Sequence, residues 1–135
     1  MERAVANLYK RFKTNDPFHI AKELNILIRF ANFEDGTRGL YYRVMKRRFI
    51  VIHDQLDEIW QRFICAHELG HDRLHPGLSR FWLDEHSFFN PGKFERQANK
   101  FAIQLLTAGE TLENGESSGD FLRRNGVPEE MHKFF

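Results

Sequence analysis

The sequence predicts an α+β fold, on three observations. Apolar residues recur at helical spacing in several separate segments. Between two of these, Ile26 to His53 alternates apolar with other residues in short runs, the period of strands. One strongly apolar helical segment, Arg62 to His71, carries imidazoles and a carboxylate that need partners. Together these point to a small mixed or antiparallel sheet of about three strands packed on a helical core. With 135 residues, 41% of them hydrophobic and fourteen of them Phe, the chain can build one core. One domain is expected over residues 1–135, with its body at 16–106 and short C-terminal helices at 118–135.

The elements follow in order. Val5, Leu8, Tyr9 and Phe12 mark one face of a first helix, over Met1 to Lys13. Asp16-Pro17 is a start signal, Asp as N-cap and Pro at the first helical position, for a short helix to about Leu24. Ile26, Ile28 and Phe30 alternate as a strand, and Glu34-Asp35-Gly36-Thr37 reads as a turn. Gly39–Val44 and Phe49–His53 form a hairpin candidate, with Met45 to Arg48 as its turn. Asp54 is expected to cap the next helix, with Asp57 in its first turn, running to about Leu74 before Pro76-Gly77. Phe81 to Asn90 reads as an irregular connection. Lys93 to about Leu106 is a strong helix, with Phe94, Ala98, Phe101, Ala102, Leu105 and Leu106 on its stripe. Asp120–Asn125 and Pro128–Phe134 read as two short helices split by Gly126.

The apolar segment contains His67-Glu68-Leu69-Gly70-His71, the pattern H-E-x-x-H. On a helix, residues four apart lie ~40° apart and one turn above each other. His67 and His71 can therefore aim ring nitrogens at one metal ion. Glu68 stands ~100° round from His67, suited to a water on that metal rather than to ligation. Two nitrogens for Zn²⁺ and a carboxylate for a proton are what a zinc peptidase needs. Cys65 lies roughly opposite His67 and reads as a small core residue.

Catalytic zinc needs a third protein ligand and an open position. A His six residues after His71 is absent, because that position is Gly77. His75 continues the same helix face and closes a tetrahedron poorly. Glu95-Arg96-Gln97-Ala98-Asn99 supplies an E-x-x-x-N on the later helix, with Asn99 placed to orient a liganding imidazole. Asp84, Glu85 and His86 are the rival acids and imidazole. Mn²⁺ or Fe²⁺ also suits a set of two His and one carboxylate.

Net charge is +1, which gives no bulk electrostatic case for nucleic acid or an anionic membrane. Arg43, Lys46, Arg47 and Arg48 cluster at the hairpin turn and read first as a charged guard on a solvated tip, second as a patch for an acidic partner or DNA phosphate. The single cysteine excludes an internal disulfide. No apolar run resembles a signal peptide or a membrane span, so a cytoplasmic protein is expected.

His67-Glu68-Leu69-Gly70-His71 with Leu74-His75-Pro76, and Glu95-x-x-Ala98-Asn99-Lys100-Phe101-Ala102 with Leu105-Leu106, resemble the ImmA/IrrE family of metallopeptidases. The hairpin that ends in an apolar strand before the His-bearing helix is similar to that family too. The resemblance covers about Asp16 to Leu106. It implies a thermolysin-like zinc fold, zinc held by His67, His71 and Glu95, and Glu68 as general base. It also implies a protein partner, a helix-turn-helix repressor of a phage or mobile element that is cleaved or relieved; direct nucleic-acid binding is not expected, given the net charge of +1. Two departures stand out. Thr107-Ala108 replaces the family's Met-Pro, and Gln97 stands where a second acidic residue is common.

Three activities compete at this level. A zinc endopeptidase would use Tyr41, Tyr42, His75 or His86 to stabilise the oxyanion, with substrate added as a strand beside the Gly39–His53 hairpin. A zinc-dependent protein that relieves a repressor without cutting it would have little use for Glu68. A DNA-binding regulator would rest on the Arg43–Arg48 patch.

Overall fold

A computed structural model describes residues 2–77, 80–84 and 91–135. The elements are α1 (Arg3–Phe12), α2 (Pro17–Glu23), β1 (Ile26–Ala31), β2 (Thr37–Val44), β3 (Arg47–His53), α3 (Glu58–Leu74), β4 (Arg80–Asp84), α4 (Lys93–Leu106), α5 (Ser118–Arg124) and a 3-10 turn of helix at Glu129–Phe134. This is an α+β fold. The capping residue of α2 is Asp16, whose side chain accepts from the Phe18 N–H at 3.0 Å, with Pro17 in the first turn.

The sheet has the order β1-β3-β2-β4. β3 pairs parallel with β1 and antiparallel with β2, and β2 pairs antiparallel with β4. The three expected strands are thus joined by β4, drawn from the stretch read as irregular connection. Residues 85–90 of that stretch lie outside the described residues. The hairpin is consequently internal to the sheet: both its strands have neighbours on either side, and among the described residues β1 and β4 are the outer strands. Strand addition at the hairpin's own edge, expected above, has no vacant edge to use.

Two local boundaries differ from expectation. The hairpin turn is the two residues Met45-Lys46, because Val44 already pairs with Arg47. The N-cap of α3 is Asp57, not Asp54: its side chain accepts from the Trp60 N–H at 2.9 Å. Residues 54–56 form a turn in which the Gln55 N–H donates to the His53 Nδ1 at 3.0 Å, so the helix begins one turn late.

α3 runs between the sheet and α4. Towards the sheet it packs Ile64 under Ile50 and Ile52, all fully buried. Asp72 locks this layer. Its side chain is fully buried and accepts from the Tyr41 hydroxyl at 2.7 Å, from Arg48 of β3 at 3.0 and 3.1 Å, and from Arg73 at 2.7 and 2.9 Å. Arg48 also donates to the Leu24 carbonyl. Towards α4, Gly70 lies tight against Phe101: a Cβ there would stand 3.0 Å from the ring. That contact brings the first turn of α4 against the last turns of α3.

Candidate metal centre

Three side chains meet where α3 and α4 touch. His67, His71 and Glu95 each offer one ligand atom, and these lie within 4.8 Å of one another. The Glu95 oxygens are 2.9 Å from His67 Nε2 and 2.8 Å from His71 Nε2. Both imidazoles are fully buried, while the Glu95 side chain keeps 15% exposure on the open side. The sequence periodicity explains the meeting: His67 and His71 share one face of α3, and Glu95 sits in the first turn of α4, one turn from Asn99.

The outer ring nitrogens are held from behind. Asn99 Oδ1 accepts from His67 Nδ1 at 2.8 Å. His71 Nδ1 is 2.9 Å from His75 Nδ1, and His75 Nε2 is 2.7 Å from Gln97 Oε1. With its Nδ1 proton committed to Asn99, a neutral His67 turns a bare Nε2 lone pair toward a carboxylate oxygen. Two such acceptors at 2.9 Å repel unless a cation lies between them. The donor set, two imidazole nitrogens and a carboxylate with one open side, fits a divalent metal.

Glu68 supplies a second sign of fit. It is fully buried, and neither carboxylate oxygen has a hydrogen-bond partner among the described residues. Its Oε1 is 3.9 Å from His67 Nε2. Burial, and then the charge on Glu95, push its carboxyl well above the ordinary range. Positive charge at the cluster is what would let this carboxylate ionise. Burial pulls the His71 imidazole down to about 4, which keeps it neutral and able to ligate. Burial pushes Glu95 up, but hydrogen bonds and charge from imidazoles protonated at Nε2 outweigh burial and hold it well below the carboxylate range, and a cation between them would act in the same direction.

Gly39 of β2 roofs Glu68. A Cβ there would lie 2.4 Å from Ile64 Cγ2 and 3.4 Å from Glu68 Oε2. The Ile64 contact is what excludes a side chain here, so glycine lets the strand lie against this turn of α3.

The other sequence candidates fall elsewhere. His75 stands behind His71, with its Nδ1 on the His71 Nδ1, and is not one of the three residues of the cluster, a position that suits an orienting group. Its two ring nitrogens are engaged by His71 and Gln97, and the Tyr41 hydroxyl is spent on Asp72, so neither is placed to stabilise an oxyanion. Tyr42 points to the other face of the sheet, stacked on Phe49 with ring centroids 4.7 Å apart. Asp84 belongs to β4, and Glu85 and His86 lie outside the described residues. Cys65 is buried in the core. Gln97 is the residue that sequence reasoning undervalued. The available signal was its spacing, two residues after Glu95 and two before Asn99.

Comparison with known proteins shows the family. The family model of the IrrE N-terminal-like domain, Peptidase M78, matches residues 21–131. The chain belongs to this family. Within the Peptidase M78 context, two relatives stand out. It is 32% identical over 135 residues to "uncharacterized immunity region protein 2" of Bacillus phage phi105, covering 97% of this chain and 85% of that protein. It is 30% identical over 112 residues to metallopeptidase ImmA of Bacillus subtilis strain 168, covering 83% of this chain and 66% of ImmA. Among the described residues, no helix is long and apolar enough to cross a membrane.

Proposed function

We propose that this chain is a zinc endopeptidase that cleaves a protein, with His67, His71 and Glu95 as metal ligands and Glu68 as the catalytic base. The observation that carries the reading is Glu68: a fully buried carboxylate, with no hydrogen-bond partner among the described residues, beside a convergent set of donors. A purely structural metal site would leave that carboxylate as an uncompensated cost of several kcal/mol. This favours cleavage over a protein that binds and relieves its target intact.

Bound at the three ligands, a divalent cation would polarise the scissile carbonyl and bring the pKa of a water towards ~7. Glu68 takes a proton from the attacking water and delivers it to the leaving amine. Gly39 lets the strand close over the turn of α3 that carries that carboxylate. Asn99 holds the His67 ring, and His75 with Gln97 holds the His71 ring.

The substrate we infer is a helix-turn-helix repressor of a phage or mobile element in the bacterial cytoplasm. The likeness to a phage immunity-region protein and to ImmA supports that choice. The test is incubation with the repressor encoded beside this chain's gene, with and without chelator, followed by fragment analysis. The reading expects a discrete fragment that chelator abolishes and Glu68→Gln fails to produce. An intact repressor released from its operator in every lane would instead support relief without cutting.

A further inference from the structure

The basic cluster at the hairpin is divided by the fold. Arg48 turns inward to Asp72 and the Leu24 carbonyl, and Arg43 Nη1 donates to the Pro76 carbonyl at 3.4 Å. Lys46 and Arg47 remain exposed at the tip. Between them and the sheet lies an apolar surface. Tyr42 and Phe49 stack, Val44 is 49% exposed and Met45 is 92% exposed. With Lys46 and Arg47 these residues line an open groove of about 910 Å³.

Met45 is the unusual member. Its φ is +57°, in the left-handed region. A tight hairpin turn with positive φ is ordinarily made by Asn or Gly. A long apolar side chain here gains no burial and adds backbone strain. Local stability therefore gives no reason for it.

We propose that this hairpin tip is a docking surface for an acidic, amphipathic segment of a protein partner. Met45, Val44 and the Tyr42–Phe49 pair would take the apolar face of that segment, and Lys46 and Arg47 its carboxylates. Charge selects the occupant: β2, the turn and β3 carry no acidic residue from Thr37 to His53, against five Lys and Arg. DNA is the poorer match. Only two cations of the cluster are exposed, and the centre of the patch is apolar, with nothing to offer a phosphate. Met45 lies six residues along β2 from Gly39, about 20 Å at strand rise, so a docked segment leaves the Glu68 cluster clear. The surface does not depend on the peptidase reading, because it concerns binding at residues apart from the cluster and not cleavage.

The probe is a synthetic labelled helix with Leu and Phe on one face and Glu on the other, read by fluorescence anisotropy. Its controls are the same helix with Lys in place of Glu, and a labelled DNA duplex. The expected result is binding of the acidic helix with a Kd below ~100 µM, and no binding of either control at the same concentration. Met45→Asn should weaken binding at least tenfold without lowering the melting temperature, because Asn suits positive φ. Should Met45→Asn unfold, Lys46→Glu with Arg47→Glu serves instead: it should lose the acidic helix and gain the Lys helix. Equal binding of both helices, binding of DNA alone, or full affinity in Met45→Asn and in the charge-reversed variant would overturn the proposal.

Discussion

His71 and His75 face each other through their Nδ1 atoms, 2.9 Å apart. The direction of that hydrogen bond follows from the rest of the site. His71 turns Nε2 to the cluster, 2.8 Å from Glu95, so as a neutral ligand its proton sits on Nδ1. His75 Nδ1 must then accept, and its own proton goes from Nε2 to Gln97 Oε1 at 2.7 Å. One helix, α4, thus supplies the proposed ligand Glu95, direct support for one imidazole at Asn99, and support for the other at Gln97 through His75. Replacing His75 by Phe, or Gln97 by Leu, should weaken metal binding about 10–100-fold with the fold retained. Competition with a coloured chelator measures it. Gln97→Glu keeps an acceptor and should keep the affinity.

Gly39 gives a second prediction. Its absent Cβ is the space that Ile64 Cγ2 occupies. Gly39→Ala should cost about 1–3 kcal/mol in urea unfolding and should lower cleavage by shifting α3 at Ile64, one turn before Glu68. Combined with Ile64→Ala, the cost should be less than the sum of the two, by at least about 0.5 kcal/mol. Strict additivity would mean that the strand does not press on the helix at this point.

Asp72 gives a third. Tyr41, Arg48 and Arg73 all converge on it, and removing the carboxylate strands them at the sheet–helix interface. Asp72→Ala should cost about 2–3 kcal/mol, since both arginines are partly exposed. Burial pushes this carboxyl up, but the Tyr41 hydroxyl, Arg73 and Arg48 outweigh burial and leave it below 3.8. A depressed acid stabilises the fold above its unfolded value and loses that contribution as pH falls through the folded one. The stability gap between the native protein and Asp72→Asn, measured by urea titration, should therefore be full at neutral pH and close below pH 3.8.

Much of the site was readable because its parts are local. H-E-x-x-H and E-x-x-x-N each occupy one helix, where spacing alone fixes which side chains share a face. The apolar stripe of Lys93–Leu106 likewise said which side of α4 would be covered. What escaped depended on distant pairings. The parallel match of Ile26–Ala31 with Arg48–His53 leaves no mark on either strand. β4 is five residues long, and its partner β2 lies on the far side of a whole helix in sequence. The inward turn of Arg48 could not be told from the outward turn of Arg47 before Asp72 was placed. The role of His75 was missed for a similar reason. Its spacing from His71 was plain, but Gln97 was needed to show which way its proton points.

The meeting of α3 and α4 around a divalent ion is tested most directly by elemental analysis of the purified protein beside Glu95→Ala. After dialysis against dilute chelator, the native chain should retain close to one zinc per molecule and the variant little. Equal metal in both proteins, or none in either after zinc is supplied, would contradict the account.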